Sequence, residues 1–135
     1  IDETLQQLLA DEFSTCESLT SFNIDSNNKN YVSDTNGIIF DKQKKILVRY
    51  PPGRLERQYN IPEGVTAINE YAFSGVTELT EITITSPFRS VIDHCFVNSS
   101  ATSLTSIIIS SSVTSLGDYC FENPTACAAL FAVIV

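Results

Sequence analysis

The sequence predicts a stacked-repeat fold, a solenoid of similar rungs, and three observations carry that prediction. The first is a set of apolar columns. Phe13, Phe73, Phe96 and Phe121 each follow Leu8, Ile68, Val91 or Leu116 by five residues and Leu5, Val65, Phe88 or Val113 by eight. The second is a downstream pattern of the same kind. Leu19, Leu79, Leu104 and Leu130 are each followed at three and five residues by an apolar pair: Phe22 and Ile24, Ile82 and Ile84, Ile107 and Ile109, or Val133 and Val135. The third is the spacing inside the cleanest copy, Ile61–Ile84, which sustains neither a 3.6 nor a two-residue period, so that recurrence is its only order.

The repeat is uneven in length. The Phe column steps by 23 residues from Phe73 to Phe96, and the Leu column by 26 from Leu104 to Leu130. The variation falls between the Phe and the Leu, where a loop absorbs it. The L-x-x-I-x-I end alternates with period two and is rich in Ile and Thr, which reads as a short strand. Strands of successive rungs are expected to pair in parallel, about 4.8 Å apart. The V-x-x-I-x-x-x-x-F half carries Gly, Pro and Asn and is expected to form turns or short 3₁₀ pieces. The first copy, IDETLQQLLADEF, is the exception and reads as one or two helical turns.

The chain reads as one domain, 1–135, with rungs at 1–24, 61–84, 85–109 and 110–135. An elongated rung at 25–60 interrupts the series. There Ile38-Ile39-Phe40 and Ile46-Leu47-Val48 flank a polar Asp41–Lys45 turn, the pattern of a β-hairpin. Pro51-Pro52-Gly53 stops its second strand, and Tyr59 and Ile61 re-enter the strand columns. The column of Ile61 recurs at Ile1, Ile84, Ile109 and Val135. That phasing is expected of an array that continues beyond these residues.

The rung V-T-x-I-x-x-Y-A-F…L-T-x-I-x-I, preceded by IPEGV and interrupted by NGIIFDKQKKILVRYPPG, resembles the BspA-like leucine-rich repeat family of surface-antigen repeats. The resemblance spans nearly the whole chain. It implies a leucine-rich-repeat-like, right-handed stack with a short parallel sheet and an inserted hairpin. It further implies a secreted or cell-surface location and adhesion to partner proteins, and it transfers no catalytic residue. The chain departs from the pattern at Glu12, where a small residue is usual, and in CAALFAVIV, which replaces a polar-rich segment. Both lie in terminal rungs, where capping is expected.

Composition narrows the partners. The formal net charge is −8, which argues against nucleic acid. Seven of the eight basic residues lie between Lys29 and Arg57, so a basic middle is flanked by acidic ends. No signal-peptide pattern is visible and the first residue is not Met, as expected of a processed protein or a fragment. The apolar run Ala126–Val135 is too short to cross a bilayer.

No constellation for catalysis, cofactor or metal stands out. Cys95 and Cys120 share the column of Ala72, while Cys16 and Cys127 share that of Val76 and Ala101, places that call for a small apolar group. No C-x-x-C occurs. Cys95 and Cys120 fall in adjacent rungs, where a disulfide is sterically conceivable. His94 beside Cys95 falls in the column of Tyr71 and Tyr119 and reads as a rung-surface residue. Glu70, Asp93 and Asp118 share a column and read as solvated carboxylates, a bridging cation being the alternative.

The candidate sites are therefore surfaces. The middle residue of each I-x-I strand is expected to face outward: Asn23, Thr83, Ile108 and Ile134. The drift from polar to apolar, with Phe131, marks a patch for a protein partner or for self-association at the C-terminal edge. Lys42, Lys44 and Lys45 on the hairpin are further protein-binding candidates, and Asn98-Ser99-Ser100 is a glycosylation sequon at Asn98. The expected function is a protein-binding or adhesion module, not an enzyme. A structural spacer or an intracellular interaction scaffold is the alternative.

Overall fold

The computed structural model describes residues 18–69, 72, 73, 75–84, 90, 91, 106–109 and 131–134. Within them the chain forms only strands and turns, in the order β1 (Tyr31–Ser33), β2 (Ile39–Asp41), β3 (Ile46–Arg49), β4 (Gln58–Asn60), β5 (Ala67–Ile68), β6 (Glu81–Ile84), β7 (Ser90–Val91), β8 (Ser106–Ile109) and β9 (Phe131–Ile134). They build two sheets. One runs β4-β6-β8-β9 and the other β1-β2-β3-β5-β7.

The four-stranded sheet follows from the L-x-x-I-x-I columns. All its pairings are parallel, with Tyr59 opposite Ile82 and Ile82 opposite Ile107. Alternation explains the register: Tyr59, Ile82 and Ile84 are buried, while Gln58 and Asn60 are exposed and Glu81 and Thr83 half-buried. A one-residue slip would turn each of these apolar side chains to solvent.

The last strand departs from the columns. Ile108 lies opposite Val133 and Ile109 opposite Ile134. Sequence columns had set Ile134 beside Ile108, one residue out. The reason is that LFAVIV is apolar throughout, so no alternation specifies its register.

In rungs 61–84 and 85–109 the other half also contributes a strand, which the expectation of turns alone had missed. Ile46-Leu47 of β3 pair in parallel with Ala67-Ile68 of β5, and these with Ser90-Val91 of β7. Around β5 the expected turns are present. Val65 N–H donates to Pro62 O (3.2 Å), Ala72 N–H to Asn69 O (3.2 Å) and Val76 N–H to Phe73 O (3.3 Å).

Threonines tie the rungs together ahead of the strands. The Arg57 carbonyl accepts the N–H of Thr80 at 2.7 Å and of Glu81 at 3.0 Å, and the Thr80 hydroxyl at 2.8 Å. Lys45 O receives the same three donors from Thr66 and Ala67, the hydroxyl at 3.4 Å. The main core lies between the sheets, where Ile38, Phe40, Leu47, Tyr50, Tyr59, Ile68, Phe73, Ile82 and others form one buried cluster.

The hairpin of β2 and β3 is antiparallel as expected, with an irregularity between Ile39 and Phe40 that sets Ile39 opposite Arg49 and Phe40 opposite Leu47. A second hairpin, β1–β2, precedes it. Its signal was the Asn36-Gly37 pair between apolar runs. Both turns start on an aspartate that collects backbone donors. Asp34 Oδ1 accepts Asn36 N–H (2.9 Å) and Ile38 N–H (3.0 Å), and Asp41 Oδ1 accepts Lys45 N–H (2.7 Å) and Ile46 N–H (2.8 Å).

Three apolar residues in a row leave a strand with two faces to cover. Ile38, Phe40 and Leu47 face the main core. On the opposite side Tyr31, Ile39 and Val48 form a second cluster, completed by Phe22, Ile24 and Ile46. Phe22 and Ile24 were expected in a strand of the first rung. Instead residues 19–25 form no strand, and these two side chains cover the hairpin. The helical expectation at residues 1–13 lies outside the described residues.

Candidate protein-interaction surface

Two surfaces carry the sequence-derived candidates. On the four-stranded sheet the outward positions are Gln58 and Asn60 of β4, Glu81 and Thr83 of β6, and Ser106 and Ile108 of β8. Thr83 lies opposite Asn60 on one side and Ile108 on the other. Thr83, Ile108, Glu81 and Ser106 are half-buried. The face therefore presents two short rows, with polar groups over β4 and β6 and the Ile108 side chain over β8. The row of Glu81 and Ser106 was not read from the columns, although it lies two residues before Thr83 and Ile108. Within it the Ser106 hydroxyl donates to Glu81 Oε1 at 3.1 Å.

Phe131 is the register partner of Ser106, and Ile134 that of Ile109. Val133, not Ile134, continues the Thr83–Ile108 row. Asn23 is exposed but belongs to the strandless segment. Asn98, His94, Glu70, Asp93, Asp118 and all four cysteines lie outside the described residues.

The second surface is the hairpin turn. Lys42, Lys44 and Lys45 are exposed there. Lys44 N–H donates to Asp41 O at 2.9 Å, and Lys44 takes φ +55°, a left-handed conformation that ends the turn. Lys42 Nζ reaches Ser26 O at 3.3 Å. A dish of about 410 Å³ opens beside the turn, lined in part by Lys29, Tyr31, Lys42 and Ile46. Lys29 was not among the candidates, because only folding brings it to Lys42.

Two arginines, Arg49 and Arg54, serve the interior or its rim. Arg49 is 1% exposed and its Nη1 donates to Tyr50 O and Ala72 O, each at 3.1 Å. Burial pulls its pKa down to about 10. Arg54 donates through Nη1 to Asn36 O at 2.9 Å and sets its Cζ 5.9 Å from the centre of the Tyr50 ring. Its contact with Glu56, 3.9 Å, is loose and exposed on the Glu side. Burial pushes the Tyr50 phenol up to about 12, with Arg54 pulling against it. Tyr59 is raised as well, by burial first and then by the Asp34 charge. Tyr50 and Tyr59 pack edge to face with ring centres 5.1 Å apart.

Among the described residues no group of three His, Cys, Asp or Glu side chains is placed to hold a metal ion. Among the described residues there is no helix long and apolar enough to cross a membrane.

Parallel strands that recur rung by rung, joined by loops of variable length, define a leucine-rich-repeat type of fold. The family model described as "BspA type Leucine rich repeat region (6 copies)" matches residues 55–131, more than half of the chain. The chain belongs to that family. Among solved structures it is similar to a leucine-rich repeat protein from Eubacterium ventriosum, at 34% identity and a TM-score of 0.74. That match covers 87% of this chain and 30% of the Eubacterium protein, so the chain spans about a third of its relative. A likeness to the pneumococcal vaccine antigen PcpA, at 17% identity and a TM-score of 0.58, covers 73% of this chain and 29% of the antigen and concerns the fold. No curated protein is similar enough to count as a match.

Proposed function

We propose that this chain is a protein-binding module of a secreted or cell-surface protein. Its rungs wind as a right-handed solenoid whose sheet face and hairpin meet a partner protein in adhesion. The observation that carries the reading is the Asn60–Thr83–Ile108 row. Its members are held in register by three parallel strands and stay accessible while their neighbours Tyr59, Ile82, Ile84 and Ile109 are buried. A row of this kind offers a broad, shape-defined surface with no chemistry of its own. Family membership supports the same reading, since repeat regions of this type are scaffolds for interaction. The edge of β9 adds a place for self-association, because it is the last strand of its sheet among the described residues.

A second reading, a spacer without a ligand of its own, is favoured by one observation. The Ser106 hydroxyl already donates to Glu81, so part of the polar row is satisfied from rung to rung. Titration of the immobilised chain against a panel of extracellular host proteins separates the two. Saturable binding at physiological salt, lost in Thr83→Arg/Ile108→Arg, supports the module. Saturable binding that the double variant leaves unchanged overturns the assigned face, and its absence across the panel supports the spacer.

A further inference from the structure

The dish beside the hairpin turn is built differently from the sheet face. Its apolar base comes from Tyr31, which is buried, and Ile46, which is half-buried. The exposed Lys29, Asn30, Lys42 and Gln43 complete its lining with Asp41. The acid in the lining is Asp41, and its Oδ1 is already committed to the N–H groups of Lys45 and Ile46. Among the described residues neither lysine has a carboxylate within ion-pair distance; the ion pair found there is Arg54–Glu56.

The surrounding charge distribution sharpens the contrast. Residues 29–57 hold seven basic and three acidic residues, whereas the rest of the chain holds one basic and thirteen acidic. Of the seven, Arg49 is buried and Arg54 bonds to Asn36 O. The other five, the four lysines and Arg57, are exposed and form the cationic part of an acidic molecule. Such a patch repels other surfaces of like molecules less than the remainder does, and it orients an anionic partner toward itself.

We propose that this dish is a binding site for an acidic peptide segment of a partner protein. A carboxylate is held between Lys29 and Lys42, a neighbouring aliphatic side chain lies over Ile46, and the Asn30 and Gln43 amides meet the peptide main chain. Peptide is favoured over a sulfated glycan by the kind of cation present. The rim offers ammonium point charges, not the planar arginine forks that match sulfate or phosphate by paired bonds. An apolar base of Tyr31 and Ile46 also suits an aliphatic side chain. This assignment rests on the protein-binding reading above and gives the hairpin half of it a ligand class.

The test is fluorescence anisotropy with a labelled Glu-Leu-Glu-Glu-Leu-Glu peptide, beside its counterpart with Gln for every Glu. The Glu peptide is expected to bind and to weaken as salt rises through the range where the screening length falls to about 8 Å. Lys29→Glu/Lys42→Glu is expected to lose about tenfold or more in affinity, and Lys44→Glu/Lys45→Glu less than about threefold. All four side chains are exposed, and matching thermal melts check that the variants fold. Equal losses in the two double variants would mean diffuse attraction and overturn the site, as would equal binding of the Gln peptide. A heparin oligosaccharide that binds more tightly than the peptide and displaces it overturns the peptide assignment. If neither peptide binds while partner-protein binding through Thr83 and Ile108 persists, the dish is refuted and the protein-binding reading stands.

Discussion

The guanidinium of Arg49 donates to the carbonyl of Ala72, 3.1 Å away across the stack of β3 on the next rung. It is a buried cation, and two hydrogen bonds from its Nη1 go to the backbone oxygens of Tyr50 and Ala72. The same Ala72 oxygen also accepts Tyr50 N–H at 2.7 Å, so it keeps a partner if Arg49 is lost. Arg49 supplies both a donor to Tyr50 O and volume at the seam between the hairpin and the first regular rung. Arg49→Met, which fills most of that volume and removes a buried charge but also the donor to Tyr50 O, is expected to cost about 1–2 kcal/mol. Arg49→Ala is expected to cost about 3 kcal/mol through the cavity it leaves. Urea unfolding of the two variants checks this, and equal losses would mean that the charge, not the packing, matters.

Gly37 cannot carry a side chain. Its φ is +76°, and a Cβ there would stand 2.3 Å from Ser21 Cβ and 2.6 Å from Ser21 Cα. The close approach exists because Phe22 N–H donates to Gly37 O at 2.9 Å, which straps segment 21–24 over the hairpin. Gly37→Ala is expected to cost about 2–4 kcal/mol, combining the left-handed backbone penalty with a clash against main chain. Thermal denaturation measures it. A change within about 0.5 kcal/mol would show that the strap is not where it is placed.

Lys44 makes the opposite case. It sits at φ +55° with its side chain in solvent, so its backbone strain has no packing reward. Lys44→Gly is expected to raise stability by about 1 kcal/mol, the left-handed penalty relieved less the extra freedom of an unfolded glycine. A lower melting temperature would mean that the Lys44 side chain makes a contact that matters.

The two core tyrosines predict an alkaline limit. Folding raises Tyr50 from 10.0 to about 12, and it raises Tyr59 too. Between the unfolded and folded values the folded state binds more protons, so stability is level below about pH 10 and falls as pH rises above it. Arg49 works in the other direction, being lowered from 12.5 to about 10, but it is one group against two. Tyrosinate absorbance from Tyr50 and Tyr59 is therefore expected to appear together with unfolding above pH 10. The Tyr59 hydroxyl is buried without a protein hydrogen bond. Tyr59→Phe is expected to be neutral or stabilising by up to about 1 kcal/mol at pH 7, and to move the alkaline transition upward. Smooth titration of Tyr50 and Tyr59 near pH 10 in the folded protein, read as the absorbance lost in Tyr50→Phe and Tyr59→Phe, would contradict both statements.

Much of the four-stranded sheet was legible because one physical rule wrote it. Tyr59 and Ile82 can share a buried row only in one register, which sets Ile107 opposite Ile82, and polar residues on either side of Ile82 mark the alternative as costly. Where that contrast is missing, legibility ends. The run from Leu130 to Val135 is apolar at every position, and its pairing fell one residue away from the columns. The two-residue strands β5 and β7 were hidden for a different reason. Ala67-Ile68 and Ser90-Val91 are too short to show a period and are strands only because β3 lies alongside β5 and β5 alongside β7.

By itself, then, the amino-acid order determined the repeat, the parallel pairing of its I-x-I strands and the presence of an inserted hairpin. These depend on local patterns of burial and turn formation. Tertiary structure alone decided that Phe22 and Ile24 would leave the ladder to cover Ile39 and Val48, because a doubly apolar hairpin takes whatever apolar segment can reach its outer face. It also decided that Lys29 would meet Lys42. Residues far apart in sequence become one surface only when the chain between them closes, and no spacing rule records which loops will do so.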